Sequence, residues 1–495
     1  MPIVRVGLVA IAGVVTSFSF SPHFWFLAIV GFAAFAWAID VDSSRQRTFL
    51  ALTFATFFYA PLVRWITSIG VPAAIALVVL CVLPWIVFVL YRPGPSRAST
   101  AFRLAAIIAL IEAVHSNAPW GGFPWGLFAY SQVDGPLMPV SRIGGEVLTS
   151  MVVVLAGCAL FVALVDRTFS MCVLIFAFVA VSSVTLINNE KSTTIRVAVI
   201  QGNVPRLGLS DQEQAGRVFA NHIAQTHELA MNIRNGKAKQ PQLVVWPENA
   251  ADGDPVNSRA MFNQVQRVVD EVNAPILIGA AVWDGDVGPY NAGILWLPGI
   301  GPNQRYEKMQ LVPFGEYIPH RTILEKYSSK FGITPNHFLP GQRSGNITFD
   351  KLTFADVICF EVAYDSRMRA GIQGGAHFFT VQSNNATYAF SQQPMQQLQI
   401  TRFRAFEHGR SIAVATTTGF SAIIDSRGFV KAQTQEMKSA TLNEELDQFT
   451  VRQPIDRWGS GPWLALCAVV VLLSLRKGSG WKTHRSQIER FGRVK

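Results

Sequence analysis

Charge is scarce in this chain. Only 15% of its 495 residues are Asp, Glu, Lys or Arg, against about 25% in a soluble globular protein. The shortage falls on the first 187 residues and on 462–475, where apolar runs dominate, whereas 190–457 has the composition of an ordinary folded domain. A wholly soluble protein is therefore excluded. Cysteine is scarce as well: of five, Cys81, Cys158, Cys172 and Cys467 lie inside apolar runs. That leaves the polar region with the single thiol of Cys359 and no disulfide framework. A P-loop, a dinucleotide fingerprint and an internal repeat are all missing. His227-Glu228 would open a zinc helix, but Met231 stands where the second histidine belongs. No metal or cofactor is expected.

What is present divides the chain into three. Apolar runs at 8–20, 25–39, 49–69, 73–91, 101–114, 148–165 and 171–187, with a last one at 462–475, predict about eight membrane helices, seven before the polar region and one after. No small-residue cleavage site follows the first run, so it is read as a retained helix. The expected division is an N-terminal transmembrane domain (1–190), a folded domain (191–457) and a C-terminal helix with a basic tail (458–495). Arg45 and Arg47, then Arg92, Arg97 and Arg103, then Arg167 occupy alternate loops. The tail carries Arg476, Lys477, Lys482, Arg485, Arg490, Arg493 and Lys495 against Glu489 alone. Basic loops mark the cytoplasmic side, which predicts an extracytoplasmic position for the loop 117–145 and for the folded domain. The net charge of +10 is thus a membrane signature and not a sign of nucleic-acid binding.

Two features within the apolar half stand out. Glu112, near the end of the fifth run, is either interfacial or turned toward protein or water. The loop 119–130, Pro-Trp-Gly-Gly-Phe-Pro-Trp-Gly-Leu-Phe-Ala-Tyr, is too aromatic for a free loop and too rich in Gly and Pro for a helix. A re-entrant or interface-lying segment is expected there.

In the polar region, short β-rich runs at 194–201, 242–246, 275–283, 292–296, 353–359, 378–382 and 411–418 alternate with helical stretches at 212–232, 258–271 and 394–407. That order predicts a layered α/β domain. Reactive groups gather at strand ends and nearby loops: Trp246-Pro247-Glu248, Tyr306-Glu307-Lys308 and Cys359-Phe360-Glu361. By residue type alone, Cys359 is a nucleophile or a small core residue at a strand end. A thiol needs a base or a cation to become a thiolate. Glu248 is suited to take the proton and return it to a leaving group. Lys308 is suited to stabilise thiolate and oxyanion.

The succession Trp-Pro-Glu, Lys, Cys-Phe-Glu resembles the carbon–nitrogen hydrolase (nitrilase) superfamily. The fuller pattern resembles its membrane branch, the apolipoprotein N-acyltransferases. It includes Gly122-Phe123-Pro124-Trp125, Ala129-Tyr130-Ser131-Gln132, Gln201-Gly202-Asn203, Tyr290-Asn291, Leu311-Val312-Pro313-Phe314-Gly315-Glu316-Tyr317, Asn384-Asn385 and Arg404-Ala405-Phe406-Glu407-His408-Gly409-Arg410. The resemblance implies a multi-pass helical membrane domain and a nitrilase-like α-β-β-α sandwich. It implies a Cys359 thioester formed from a phospholipid acyl donor and passed to the α-amine of a diacylglyceryl-cysteine on an apolipoprotein acceptor. It further implies Glu248, Lys308 and Cys359 as the catalytic set, with Glu316 orienting Lys308 or Cys359. By the same resemblance, Phe314, Phe360, Glu361, Asn291 and Tyr388 are expected to be supporting or substrate-binding residues. A monomer in the bacterial cytoplasmic membrane, among membrane lipids, is expected.

The chain departs from the commoner pattern in three places. Phe360 stands where many relatives carry Tyr, a loop Trp is missing near Ser210, and Thr387-Tyr388 replaces a Trp-Phe pair. A membrane-anchored nitrilase-type amidase using the same triad is the alternative reading. It leaves seven leading helices unexplained, since one would anchor a hydrolase. A transporter or receptor leaves the Glu–Lys–Cys set unexplained.

Overall fold

The computed structural model describes residues 3–185, 191–204, 211–285, 288–324, 337–350 and 352–475. Ser210 and the basic tail after 475 lie outside that set. Seven helices lead: α1 (Ile3–Phe18), α2 (Phe26–Ala38), α3 (Ser44–Leu62), α4 (Val71–Val82), α5 (Arg97–Asn117), α6 (Ser141–Val165) and α7 (Ser170–Thr185). Three spans, Val71–Val89, Arg97–Asn117 and Met138–Val165, are long and apolar enough to cross a membrane, and α1, α2 and α7 are shorter apolar helices. Pro61 closes α3, after which 64–68 tightens into a 3₁₀ turn. Pro84 does the same beyond α4, as expected where a ring removes an N–H and crowds the turn before it.

At one end of this bundle Arg97 binds Asp40, after α2, at 3.0 Å and Asp166, after α6, at 3.2 Å. Arg5 donates to the carbonyls of Ala38 and Asp40 at 3.0 and 3.1 Å. Three alternate loops and the start of α1 therefore meet at the same end, as the basic-loop pattern requires.

The sandwich follows: β1 (Lys191–Gln201), α8 (Asp211–Arg234), β2 (Leu243–Val245), α9 (Arg259–Val272), β3 (Ile276–Trp283), β4 (Pro289–Leu297), β5 (Gly301–Glu307), α10 (Arg321–Leu324), β6 (Asn346–Phe349), β7 (Leu352–Ile358), α11 (Asp365–Gln373), β8 (Phe378–Ser383), α12 (Gln393–His408), β9 (Ile412–Thr416), β10 (Ala422–Ile424), β11 (Val430–Gln433) and β12 (Ala440–Phe449). The short α13 (Pro454–Trp458) leads into α14 (Gly461–Leu475), which is apolar and returns to the bundle. One sheet has the order β12-β1-β2-β3-β4-β5 and the other β11-β10-β9-β8-β7-β6.

Alternation along the strands builds the layers. In β1, Ile195, Val197 and Val199 point between the sheets, where they meet Phe354, Phe378, Ala413 and Ile423. Ala198 and Ile200 point outward, into the core shared with α8 and α9. Each large apolar side chain so buried contributes about 1.5–3 kcal/mol. Strands covered on both faces read as continuous apolar runs, and those were legible in the sequence except for the three-residue β10. The edge strands were not: β5 and β12 are polar along most of their length, because among the described residues one side of each meets no further strand.

The outer face of the second sheet carries α11 and α12, and here the membrane half joins. Trp65, Trp125, Leu127, Ala129 and Tyr130 form one core with Val362, Met368, Leu398, Phe403 and Ala405. The loop 119–130 is thus not a free segment. It is a packed joint, with Trp125 and Tyr130 buried against the sandwich and Phe128 buried in the helical bundle. Glu112 is 4% exposed and accepts the Phe128 N–H at 2.6 Å, so it faces protein and ties this loop to α5.

Candidate active site

β2, β7 and β8 run parallel to neighbours in their own sheets, and ligand sites in such sheets collect at the carboxyl ends of strands. Glu248 follows β2, Lys308 follows β5, Cys359 follows β7 and Asn384 follows β8. Lys308, 1% exposed, donates from Nζ to Oε1 of Glu248 and to Oε1 of Glu316, both at 3.0 Å. The Asn291 Nδ2 bridges the same two oxygens at 2.8 and 2.7 Å. The second oxygen of Glu248 accepts the Asn384 N–H at 2.8 Å, and its charge reaches the Cys359 thiol. Glu316 is held in turn by the Val312 N–H at 2.7 Å. Glu248, Lys308 and Cys359, separated by 60 and 51 residues in the chain, are one connected group.

The electrostatics follow from that packing. Burial pushes Lys308 down, but Glu248 and Glu316 outweigh it and hold the ammonium well above its ordinary value. Burial, then Glu248, push the Cys359 thiol up to about 12, with Lys308 opposing. The resting state is a protonated thiol beside an ion pair, with the Glu248 carboxylate close enough to raise the thiol.

Cys359 opens a single turn, Cys359–Ala363, at φ +56°. That left-handed conformation is costly for an L-residue and is found where a nucleophile is thrust out of a turn. Glu361 pays for it from below. Its carboxylate, 0% exposed, accepts the N–H of Ile358 (2.9 Å), Met309 (2.8 Å) and Gln310 (2.9 Å), and the Tyr306 hydroxyl at 2.8 Å. Glu361 therefore holds the Cys359 turn to the Lys308 loop. Burial raises its pKa above the ordinary carboxyl value, against those donors.

The remaining expected aromatic residues pack against rings of the helical half. Phe360 stacks on Phe123 at 5.7 Å and on Trp125 at 6.0 Å. Tyr388 meets Trp65 at 5.0 Å, and Phe314, 46% exposed, meets Trp120 at 5.5 Å. One wall of the site is thus aromatic and partly donated by the helical half. Gln396 braces that wall: its Oε1 accepts both indole N–H groups, from Trp65 at 3.0 Å and Trp125 at 2.8 Å. Sequence reasoning passed over Gln396, the Asn384 N–H and Tyr306. Only Asn384 and Tyr306 had a signal, as members of the quoted motifs.

A sandwich with a buried Glu and Lys and a half-buried Cys at its strand ends, joined to a bundle of apolar helices, defines a membrane-embedded protein of the carbon–nitrogen hydrolase class. Residues 196–455 match the family described as carbon-nitrogen hydrolase, and residues 12–159 match the apolipoprotein N-acyltransferase N-terminal domain. The apolipoprotein N-acyltransferase of Mycolicibacterium smegmatis is 31% identical, over 92% of this chain and 82% of its own. That of Vibrio vulnificus is 27% identical, over 92% and 94%. Among solved structures, Saccharomyces cerevisiae Nit3, of the nitrilase superfamily, superposes on 52% of this chain and 91% of its own, with 16% identity and a TM-score of 0.39. The chain belongs to the apolipoprotein N-acyltransferase family.

Proposed function

We propose that the protein moves an acyl chain from a phospholipid to the α-amine of the diacylglyceryl-cysteine that begins a lipoprotein, working as a monomer on the outer face of the bacterial cytoplasmic membrane. Glu248 takes the thiol proton as the Cys359 sulfur attacks the ester carbonyl. The tetrahedral oxyanion is stabilised by Lys308. Collapse breaks the ester C–O bond, Glu248 gives the proton to the departing lysophospholipid oxygen, and a thioester remains. In the second half the lipoprotein amine attacks that thioester and Glu248 accepts a proton from the nitrogen. The C–S bond breaks, the amide forms, and the sulfur recovers its proton. Atoms and electrons balance with no redox partner.

The observation that carries this reading is the aromatic wall. Phe360, beside the thiol, packs on Phe123 and Trp125 of the membrane half, an apolar lining suited to an acyl chain. An amidase acting on small polar substrates has no use for it. In vesicles holding a phospholipid with a tagged acyl chain, a diacylglyceryl-cysteinyl peptide should gain that chain as an amide, and its N-acetylated form should not. Release of free tagged fatty acid, with neither peptide modified, would sink the transferase reading.

A further inference from the structure

The motif Arg404–Arg410 takes no part in the chemistry above, yet its first residue reaches the nucleophile turn. Arg404 is 0% exposed. Its Nε donates to the Val362 carbonyl at 3.2 Å and its Nη2 to the Ala363 carbonyl at 2.6 Å, the last two carbonyls of the turn that Cys359 opens. Ala363 O also accepts the Tyr130 hydroxyl at 3.1 Å, and Arg404 Nη2 lies 3.0 Å from that same hydroxyl. The remaining guanidinium nitrogen, Nη1, binds Glu146 of α6 at 3.0 Å and is also paired with Glu407.

Two of these partners belong to the membrane half. Tyr130 ends the packed loop, and Glu146 directly follows the kink in α6, where Gly145 sits at φ +63°. A Cβ at Gly145 would come within 2.9 Å of Glu407 Oε1, so the kinked helix is pressed onto this cluster. A single turn has too few internal hydrogen bonds to fix its own geometry, and this one begins in a costly backbone conformation. Glu361 secures its start to the sandwich, while Arg404 and Tyr130 secure its end to the helices.

We propose that Arg404 is a positioning residue through which the helical half, by way of Tyr130 and Glu146, sets the angle at which the Cys359 sulfur meets the ester carbonyl. The membrane domain then shares in the chemical step and does more than hold the enzyme at its lipid. This rests on the acyl-transfer reading given above.

The test uses the full chain in phospholipid vesicles and measures formation of the hydroxylamine-sensitive acyl adduct as tagged phospholipid is varied. Arg404→Lys keeps the charge but loses the fork. Tyr130→Phe removes one oxygen. Misplacing a reacting group by an ångström costs up to about 100-fold. We expect the saturating rate to fall at least about tenfold in Arg404→Lys and about threefold in Tyr130→Phe, with KM within about twofold of wild type. A role in folding alone would lower Tm and leave the rate per folded molecule unchanged. Rates within about twofold of wild type in folded Tyr130→Phe, or a loss carried by KM, overturn the proposal. Should Arg404→Lys not fold, Tyr130→Phe decides. An adduct absent in wild type is the separate result that fails the transfer reading itself.

Discussion

At the scale of single residues, the site separates two properties that a reactive cysteine often combines. The Cys359 thiol is pushed up by burial and then by Glu248, so it is no standing thiolate, and its reactivity depends on the base beside it. Replacing Glu248 by Gln removes a negative charge and a hydrogen-bond acceptor, while Lys308 remains to favour the thiolate. The sign is therefore opposite for two measurements. The alkylation profile of Cys359 with iodoacetamide should move to lower pH in Glu248→Gln. Acyl transfer in the same variant should fall by about 10²–10⁴-fold, the usual worth of a positioned general base. A parallel loss of both would show that Glu248 holds the thiol in place and does not deprotonate it.

At the scale of elements, the two sheets approach closely beneath the site. A Cβ at Gly293 of β4 would lie 2.2 Å from Asp356 Oδ2 of β7 and 2.5 Å from Gln382 Oε1 of β8. Gln382 in turn donates to the Trp246 carbonyl at 2.5 Å, just before Glu248. The spacing between the Glu248 and Cys359 strands is thus set by a glycine. Gly293→Ala should destabilise the sandwich by about 1–3 kcal/mol, the usual cost of overpacking, and lower Tm by a few degrees. An unchanged Tm in thermal unfolding would contradict this account of the sheet contact. The same scale explains what was legible beforehand. Strands covered on both faces declare themselves as Val, Ile and Leu runs, and Glu248, Lys308 and Cys359 stand in recognisable motifs at or near their ends. Polar edge strands, the Asn384 N–H on Glu248 and the Arg404 fork depend on which segments meet in space, and no spacing along the chain encodes that.

At the scale of the whole molecule, Arg97 gathers Asp40 and Asp166 at one end of the bundle, while Trp65, Trp125 and Tyr130 enter the sandwich core at the other. With basic residues in the loops of the first end, the positive-inside rule predicts a sandwich outside the cell. A reporter joined after Lys495 should act as cytoplasmic, and one inserted near Asn232 as extracytoplasmic. The reverse pattern would put the thiol on the side away from exported lipoproteins.

The central claim is that Cys359 carries the acyl chain. Its most direct test is the intact mass of the purified enzyme after incubation with one defined phospholipid and no acceptor. The mass should rise by one acyl group, and proteolysis should map that group to Cys359. Neutral hydroxylamine should remove it, and Cys359→Ala and Cys359→Ser should each lack the thioester. A wild-type enzyme that is folded and active with acceptor present, yet never gains that mass or gains it on another residue, would contradict the account.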